Sequence, residues 1–555
     1  MRRDIEALAS ETFDVVIAGG GIYGMTLAWE TARRGLKTAL VEREDFGSRT
    51  SANSLKTIHG GLRYLQQLDF KRMRESVRER SLFLYLAPHL VRPLGCVLPT
   101  YGYAMKGNEV MRAGMLVNDI ISMDRNWMPD PHQHIPAGRI LSKRRMLELV
   151  PDLDPSGVRG GAFWTDAQMV NSERMGLSFL KAAVEQRARA ANYVSMTGLL
   201  TAGGRISGIA AMDTLGGKTF EIKAPVVVNT GGGWVNKILT AGKQPQRPMK
   251  LSTAMNLIIR RRLLSGPAAG VYGRFTHQLP GGPYHGRHVL FLAPWRHYTL
   301  AGTYHRPYSG DPDDLHVEEK EIDAFLQEIN SAIPGSPVRR EEVSYFHKGF
   351  LPMDGVDEKN GEVNLTKQYA ITDHGRQGGP EGLITVIGVK YTTARDVSAK
   401  VAQLAAVKAG KKVKPPSPRV RLTGGEIERI EDYLASAVAS SKKWSEPVIR
   451  RLVTQYGTEF RKILELSEEK AFSTLIPDSE SVLAAEIIHA VRYEMAARLG
   501  DVVLRRTDLG SGECPPDRAL KKCAELMAAE LGWTAAGIRD EIASVKALYR
   551  PRGNH

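Results

Sequence analysis

The feature that most constrains this chain is a glycine-rich turn between a buried strand and a helix near the N-terminus. The apolar run 13–18 predicts a strand, the sequence Gly-Gly-Gly-Ile-Tyr-Gly follows at 19–24, and residues 25–34 have a helical pattern. A second predicted strand, 36–41, leads directly to Glu42. A G-x-G-x-x-G sequence in this context, with an acid about 20 residues on, is the fingerprint of a dinucleotide-binding βαβ unit.

Each glycine of the turn has a separate task in such a unit. Gly19 makes the tight turn, Gly21 lets the backbone approach a pyrophosphate, and Gly24 lets helix and strand pack closely. The helix N-terminus offers N–H groups to the phosphates, and Glu42 would accept hydrogen bonds from ribose hydroxyls. An acid at that position disfavours a 2′-phosphate, so NADP is not expected. The alternative is a glycine-rich turn in an ordinary α/β domain, which the strands and the acid make less favoured.

The bulk properties indicate a multidomain protein without a membrane span. A chain of 555 residues exceeds the size of one hydrophobic core, so two or three domains are expected. No run of about 18 apolar residues occurs, and residues 1–10 lack an apolar signal core. Cys96, Cys514 and Cys523 have no metal-binding spacing and form no even disulfide set. We therefore expect a cytoplasmic protein without a metal site.

The net charge of +15 does not by itself identify what the protein binds. A basic excess is compatible with nucleic acid, an anionic membrane surface, an anionic substrate or simple solubility. No basic stripe with interleaved aromatic residues and no nucleic-acid-binding module is present, so nucleic acid is not expected. Peripheral contact with the inner face of a membrane stays open.

The segment 45–64 indicates which dinucleotide is bound. It is rich in glycine and small hydroxyl residues, and it carries Lys56, His59 and Arg63. Small residues let backbone amides and hydroxyls surround a cofactor closely, whereas a plain NAD dehydrogenase would continue directly into its next βα unit. The insertion favours an extended flavin over a nicotinamide cofactor.

Two later strand–glycine–helix junctions support a flavin. The predicted strand 224–229 ends in Thr-Gly-Gly-Gly-Trp at 230–234, a turn that would close over the flavin. The predicted strand 382–388 ends at Gly388, and residues 388–393 open a helix whose amides can point at the flavin pyrimidine carbonyl, where charge develops on reduction.

These patterns predict an α/β fold: a Rossmann-like FAD-binding domain, an interleaved antiparallel-sheet substrate domain and an all-α C-terminal domain. The FAD-binding domain is expected at 1–105, 155–245 and 355–412, and the substrate domain at 106–154 and 246–354. Three prolines make 411–418 the best linker, and residues 413–555 are expected to form a helical cap domain that includes a helix at 481–499.

The chain resembles FAD-dependent glycerol-3-phosphate dehydrogenases of the D-amino-acid-oxidase-like superfamily. The most specific stretch is Ile-His-Gly-Gly-Leu-Arg-Tyr-Leu at 58–65. The resemblance continues at 166–169, 230–234, 388–393 and, in the helical tail, 490–496 and 504–507. It implies hydride transfer from a secondary carbinol to flavin N5, with electrons passed on to an acceptor such as quinone at a membrane surface.

The resemblance also assigns residues to roles. It implies His59 beside the carbinol, Arg63 at the substrate anion and Lys390 against the flavin ring, and these three are the catalytic candidates. Tyr64, His305 and Lys348 join Arg63 as substrate candidates. The cofactor candidates are Gly19, Gly21, Gly24, Glu42, Arg43, Thr50, Ser51, Ser54, Leu55, Ile58, His59, Gly60, Gly61, Gly231, Gly232, Gly388, Lys390, Tyr391 and Thr392.

The substrate side departs from the family pattern in three places. Leu351 stands where the family has an arginine that grips the substrate phosphate. Residues 253–256 replace Lys-Gly-Ser-His, and 302–305 replace Gly-Thr-Thr-Asp. Lys348, His305 or Arg63 could hold the anion, but an ammonium acts as a point charge rather than a fork. The substrate is therefore glycerol 3-phosphate, another polyol phosphate, or a less charged secondary alcohol.

Several alternatives stay open. His59 is either the base for the hydroxyl proton or a hydrogen-bonding neighbour of the flavin, and Lys390 either stabilises the reduced flavin anion or is a surface lysine. An amine oxidase of the same superfamily and a non-enzymatic FAD-binding protein are the other functional classes. The helical C-terminal domain could cap the molecule, form a homodimer or dock the acceptor.

Overall fold

The structure, a computed structural model, describes residues 1–62, 64, 68–102, 108–247 and 249–553, without the side chains of Asn108 and Val110. The strands, numbered along the chain, are β1 (Val15–Ala18), β2 (Thr38–Val41), β3 (Thr57–Ile58), β4 (Val91–Tyr101), β5 (Arg139–Ser142), β6 (Val158–Met169), β7 (Arg189–Ala191), β8 (Val194–Ala202), β9 (Arg205–Asp213), β10 (Thr219–Lys223), β11 (Val227–Asn229), β12 (Lys250–Ile259), β13 (Ala268–Leu279), β14 (Gly282–Trp295), β15 (Tyr298–Tyr308), β16 (Val343–Val356), β17 (Val363–Leu365), β18 (Ala370–Asp373) and β19 (Leu383–Ile387).

The helices are α1 (Ile5–Ser10), α2 (Ile22–Ala32), α3 (Phe70–Leu86), α4 (Asn108–Ile121), α5 (Lys143–Leu149), α6 (Ser172–Glu185), α7 (Val235–Ala241), α8 (Glu319–Ala332), α9 (Ala394–Lys408), α10 (Ile430–Ser440), α11 (Glu446–Tyr456), α12 (Phe460–Leu466), α13 (Ala484–Glu494), α14 (Leu499–Asp501), α15 (Asp517–Leu531) and α16 (Ala535–Ala547). A π-helical turn covers Val502–Arg506.

A parallel sheet forms the centre of the N-terminal unit. Its strand order is β18-β19-β11-β1-β2-β7, and the edge strand β18 alone runs antiparallel to its neighbour. Every residue of β1 and β2 is buried, because helices cover both faces of the sheet. Helix α2 packs with α6 and α9 in one core cluster. The three-stranded meander β8–β9–β10 lies beside it, as the glycine turns predict.

A larger, mainly antiparallel sheet forms the second layer. In the described part of the chain its order is β17-β16-β12-β15-β14-β13-β4-β6-β3, with β5 paired to β6. Helix α8 covers one face, where Phe325 and Ile329 pack with Leu257 and Leu290. Strands β4 and β6 belong to this sheet although both lie entirely in ranges assigned to the FAD-binding domain from sequence. Strand β3 brings the segment after Glu42 to its edge.

One helix of the C-terminal region is shorter than its hydrophobic periodicity predicts. The predicted helix 481–499 is found as α13, which ends where Met495 takes a φ of 58°. Glu494, the last residue of α13, is fully buried, and its carboxylate accepts from Arg174 at 2.6 Å and Lys181 at 3.2 Å. Because a buried carboxylate needs such partners, these ion pairs hold the last residue of the helix against α6. The architecture confirms the predicted fold class.

Candidate active site

The glycine turn has the geometry that its sequence predicts. A Cβ added at Gly24 would lie 1.9 Å from the carbonyl oxygen of Gly19, so helix α2 and strand β1 approach too closely for any side chain there. Gly19 has a φ of +112°, and its N–H donates to the carbonyl oxygen of Val41 at 2.9 Å. Glycine is required at this φ because L residues are strained there.

A carboxylate from the end of β2 closes the turn. Glu42 accepts hydrogen bonds from the N–H of Gly20 at 2.6 Å and of Glu44 at 2.9 Å. Burial raises the pKa of Glu42, and the two N–H donors oppose that shift. Ser51, which follows on the same loop, accepts from the first N–H of α2, that of Ile22, at 2.9 Å. The loop and the helix N-terminus are thus joined.

Arg43, also predicted to contact the cofactor, is directed elsewhere by its contacts. Its guanidinium donates to Asp313 at 2.6 Å and lies 5.1 Å from the centre of the Trp234 ring. Trp234 in turn donates to Asp313 at 2.7 Å. Arg43 therefore fastens the second glycine turn to the loop before α8, and its contact with the cofactor stays a prediction.

The two later glycine junctions meet the first turn. The Thr230 hydroxyl donates to the carbonyl oxygen of Gly19 at 2.8 Å, which places Gly231 and Gly232 beside the first glycine. A Cβ added at Gly388 would lie 2.1 Å from the ring of Tyr23, on the first turn of α2. All three junctions lie at the carboxyl ends of parallel strands, where ligands bind in such sheets.

The remaining cofactor candidates contact the large sheet or the helices that cover the parallel sheet. Thr50 accepts from the N–H of Phe350 at 3.0 Å, and the Ser54 hydroxyl accepts from the N–H of Lys56 at 3.1 Å. Ile58 is buried in β3, opposite Ala167. The Tyr391 hydroxyl donates to the carbonyl oxygen of Ser172 at 2.9 Å, so this ring faces α6.

His59 lies where the sheets converge. The backbone N–H of His59 donates to the Thr392 hydroxyl at 3.2 Å, and the ring Nδ1 lies 3.1 Å from Asp166 Oδ2. The imidazole is about half exposed, whereas the Asp166 carboxylate is buried. Gly60 donates its N–H to Asp166 Oδ1 at 2.7 Å. The contact between His59 and Asp166 joins residues 107 positions apart, and no sequence pattern had given Asp166 a role of its own.

Lys390 joins the same place from the third junction. Its Nζ lies 3.9 Å from the centre of the Tyr64 ring, and its carbonyl oxygen accepts from the Tyr23 hydroxyl at 2.9 Å. Gly61, with a φ of +84°, turns the chain between His59 and Tyr64. The structure thus brings His59, Tyr64, Lys390 and Thr392 together. Arg63 lies outside the described residues, and its role stays a prediction.

The large sheet presents one face to this place. Asn256 Oδ1 accepts from the Thr303 hydroxyl at 2.8 Å, and a Cβ added at the neighbouring Gly302 would lie 2.9 Å from the Leu55 side chain. His305 lies opposite Ala254, two residues from Asn256 on β12, and therefore on the same face. In the sequence, Asn256 and Thr303 stand out only as part of the departures from the family pattern.

The other substrate candidate on this sheet lies on the opposite face. Lys348 is paired with Met255, whose side chain belongs to the core under α8. Burial lowers the pKa of Lys348, and the nearby cations Arg49 and Arg552 lower it further. His305 and Lys348 are therefore not brought together. Leu351 lies three residues beyond Lys348, on the Asn256 face, opposite Ser252.

The donor set fits FAD. A Cβ added at Gly21 would meet only the Ser51 hydroxyl, at 3.3 Å, among the described atoms, so the space before the turn is open to a ligand that needs close backbone approach. Glu42 would supply the ribose acceptor, and the N-terminus of α2 would supply the phosphate donors.

Comparison with known proteins agrees with this geometry. Residues 14–386 match the family of FAD dependent oxidoreductases, and residues 417–538 match the C-terminal domain of alpha-glycerophosphate oxidase. A glycerol-3-phosphate dehydrogenase from Synechocystis is 30% identical over 524 residues, which cover 91% of this chain and 90% of that protein. One from Mycobacterium leprae is 29% identical, with coverage of 98% and 89%.

A solved structure has the same fold. The glycerol-3-phosphate dehydrogenase from Bacillus halodurans, complexed with FAD, aligns with a TM-score of 0.75 at 22% identity, covering 98% of this chain and 96% of that one. The family match extends over both the dinucleotide-binding unit and the helical tail. The chain therefore belongs to the FAD-dependent oxidoreductases, within the glycerol-3-phosphate dehydrogenase family, and FAD is its cofactor.

Proposed function

We propose that the protein is a dehydrogenase that oxidises the secondary alcohol of glycerol 3-phosphate or a related polyol phosphate. The observation that carries this proposal is the convergence of His59, Tyr64, Lys390 and Thr392 at the carboxyl ends of the parallel strands. Beside a flavin site, an imidazole can act as the base that alcohol oxidation needs, and an ammonium can stabilise the negative charge that develops on reduction. FAD, when bound, supplies the hydride acceptor.

The chain's own residues orient the alcohol and remove its proton. The half-exposed ring of His59 can accept the hydroxyl proton, because a neutral imidazole has one unprotonated ring nitrogen. The Lys390 ammonium, beside the Tyr64 ring, provides positive charge where negative charge develops during reduction. The face of β12 and β15 that carries Asn256, Thr303 and His305 bounds the pocket on the substrate side.

Because Leu351 replaces the family's phosphate-binding arginine, which residue binds the substrate's phosphate is the main open point of the proposal. The family's arginine would contribute a charge-assisted fork worth roughly 1.5–3 kcal/mol, and a leucine contributes none of it. Arg63 and His305 are the remaining cationic candidates, with His305 on the Asn256 face. We expect glycerol 3-phosphate to reduce the flavin, with a KM above that of a variant in which Leu351→Arg restores the fork.

Flavin reduction across a substrate panel tests the proposal. Anaerobic bleaching of the flavin would be followed with glycerol 3-phosphate, a longer polyol phosphate, glycerol and a primary amine. Reduction by the phosphorylated alcohols supports the proposal, and faster reduction by glycerol identifies the less charged alternative. Reduction by the amine alone, or by dithionite alone, would refute it in favour of an amine oxidase or a non-enzymatic FAD-binding protein.

We further propose that electrons pass to a quinone while the protein rests on an anionic bilayer. The support is an exposed apolar surface formed by the start of α3 and the end of α4: Leu68, Phe70, Leu116, Ile120 and Met123 are 48–77% exposed. Arg74 joins the two helices through Asp124 at 2.5 Å, and exposed Lys71 and Arg112 add positive charge. Among the described residues, none of the helices combines the length and hydropathy that a membrane crossing requires.

Vesicle flotation tests this surface. We expect the protein to float with vesicles containing anionic lipid and not with zwitterionic ones, since the charge and the apolar side chains act together. Met123→Glu combined with Leu116→Glu should abolish flotation. Val407→Glu is the matched control, because Val407 is an equally exposed apolar residue on α9. Unchanged flotation of the double variant would refute the proposed surface.

A further inference from the structure

Asp166 is a buried acid beside His59 with several hydrogen-bond donors around it. It lies near the end of β6, is 4% exposed, and accepts from four donors. They are the Gly60 N–H at 2.7 Å, His59 Nδ1 at 3.1 Å, the Trp164 indole N–H at 3.2 Å and Arg80 Nη1 at 3.3 Å. Three of these donors fix the carboxylate, and the fourth is the side chain proposed as the base.

The donors keep Asp166 ionised despite its burial. Burial alone would raise the pKa of Asp166, but His59, Arg80 and the Gly60 N–H together lower it to about 2. An ionised carboxylate can only accept hydrogen bonds. His59 Nδ1 must therefore carry the proton in this contact, which leaves Nε2 as the unprotonated nitrogen of the neutral ring.

We propose that Asp166 is a positioning residue that holds His59 in the tautomer with Nδ1 protonated and Nε2 free to act as base. The inference rests on the proposed function. In the step it serves, the carbinol C–H bond breaks with its electron pair, and FAD, when bound, would accept that hydride. The O–H bond breaks with its proton going to His59 Nε2, and the carbinol becomes a carbonyl. The carboxylate then stabilises the imidazolium that forms.

Arg80 lies behind Asp166 and donates to its carboxylate. It is 3% exposed, and its Nη1 also donates to the carbonyl oxygen of Thr165 at 2.7 Å. A Cβ added at Gly60 would lie 2.1 Å from Arg80 Nη1, so glycine is needed for the guanidinium to reach the carboxylate. Among the described residues, the charged groups on the elements packed around His59 are Asp166, Arg80 behind it, and Lys390 from the third junction.

The test is the FAD-loaded protein with Asp166→Asn, compared with Asp166→Glu, His59→Gln and the double variant that combines Asp166→Asn with His59→Gln. An asparagine keeps the Gly60 contact but offers an N–H toward His59 and so favours the other tautomer. We expect the rate constant for flavin reduction to fall at least about 100-fold in Asp166→Asn, with the substrate dissociation constant changed less than about threefold. The double variant should be no slower than the His59→Gln single variant, and Asp166→Glu should recover part of the rate.

A second readout does not depend on turnover. Selective ¹⁵N-histidine NMR of the wild-type holoprotein should show His59 as the Nδ1-protonated tautomer, assigned by loss of its signals in His59→Gln. An Nε2-protonated ring, or a folded, FAD-loaded Asp166→Asn that reduces the flavin at the wild-type rate, would overturn the inference. If no alcohol reduces the wild-type flavin, the proposed function fails, and the tautomer still decides the placement of Asp166.

Discussion

Alanine at Gly24 and at Gly21 should separate the two tasks of the glycine turn. At Gly24 the added Cβ would lie 1.9 Å from the Gly19 carbonyl oxygen, whereas ordinary contact begins at 3.4 Å. The backbone must therefore open by 1.5 Å, the difference of those distances. Overpacking of this kind costs roughly 1–3 kcal/mol. Alanine recovers about 1 kcal/mol of helix propensity relative to glycine. Taking the upper end of the overpacking cost, we expect the free energy of unfolding to fall by about 2 kcal/mol.

At Gly21 the same substitution meets little protein. Its Cβ would lie 3.3 Å from the Ser51 hydroxyl, a contact that a small rotation relieves. The apoprotein should keep its stability within about 0.5 kcal/mol. The methyl group occupies the approach of the pyrophosphate, and loss of one charge-assisted hydrogen bond costs roughly 1.5–3 kcal/mol. FAD should therefore bind at least about tenfold more weakly.

The assay is thermal unfolding of the apoprotein together with FAD titration by flavin fluorescence. Gly537→Ala is the control, because its Cβ would lie 3.6 Å from Trp533 in ordinary contact within α16. Gly24→Ala should lower the apoprotein midpoint, and Gly21→Ala should weaken FAD binding with the midpoint unchanged. An apoprotein with Gly24→Ala as stable as the wild type, or a Gly21→Ala variant with wild-type FAD affinity, would refute the reasoning.

Two further outcomes concern buried charge. Arg506→Met should destabilise the protein by about 3 kcal/mol, since it removes a bidentate contact of 2.6 and 2.7 Å to buried Asp45. Arg492→Met is the control in the same unfolding experiment: its ion pair with Glu530 is partly exposed, so its loss should cost about 1 kcal/mol or less. Burial lowers the pKa of His89 from 6.5 to about 3 and that of His489 from 6.5 to about 4. The stability that each neutral histidine contributes is therefore complete above pH 6.5. It is lost as the pH falls toward the lowered pKa, at about 1.4 kcal/mol per pH unit for each histidine. The thermal unfolding midpoint of the wild type should fall steeply as the pH is lowered from 7 to 4.5, and that of His89→Gln should fall less. Parallel curves of midpoint against pH for the two proteins would contradict this.

Local sequence was enough for the dinucleotide unit. Glycines at 19, 21 and 24, the strand before them and Glu42 lie within one βαβ segment, so their geometry depends on neighbours close in the chain. The same holds for the small residues that favour a flavin and for the helical periodicity of the tail. Helix ends were less predictable, because α13 stops at a buried glutamate whose partners come from α6.

The substrate side depended on tertiary structure. His59 and Asp166 are 107 residues apart, and only the pairing of β3 with β6 brings them within a hydrogen bond. His305 and Lys348 looked equivalent in sequence, but strand register puts them on opposite faces, since side chains alternate with a period of two. Contiguous motifs were sufficient to identify the family and the cofactor, because each motif makes its geometry from neighbours in the chain. Which side chains face the substrate depends on long-range strand pairing, which no local pattern encodes.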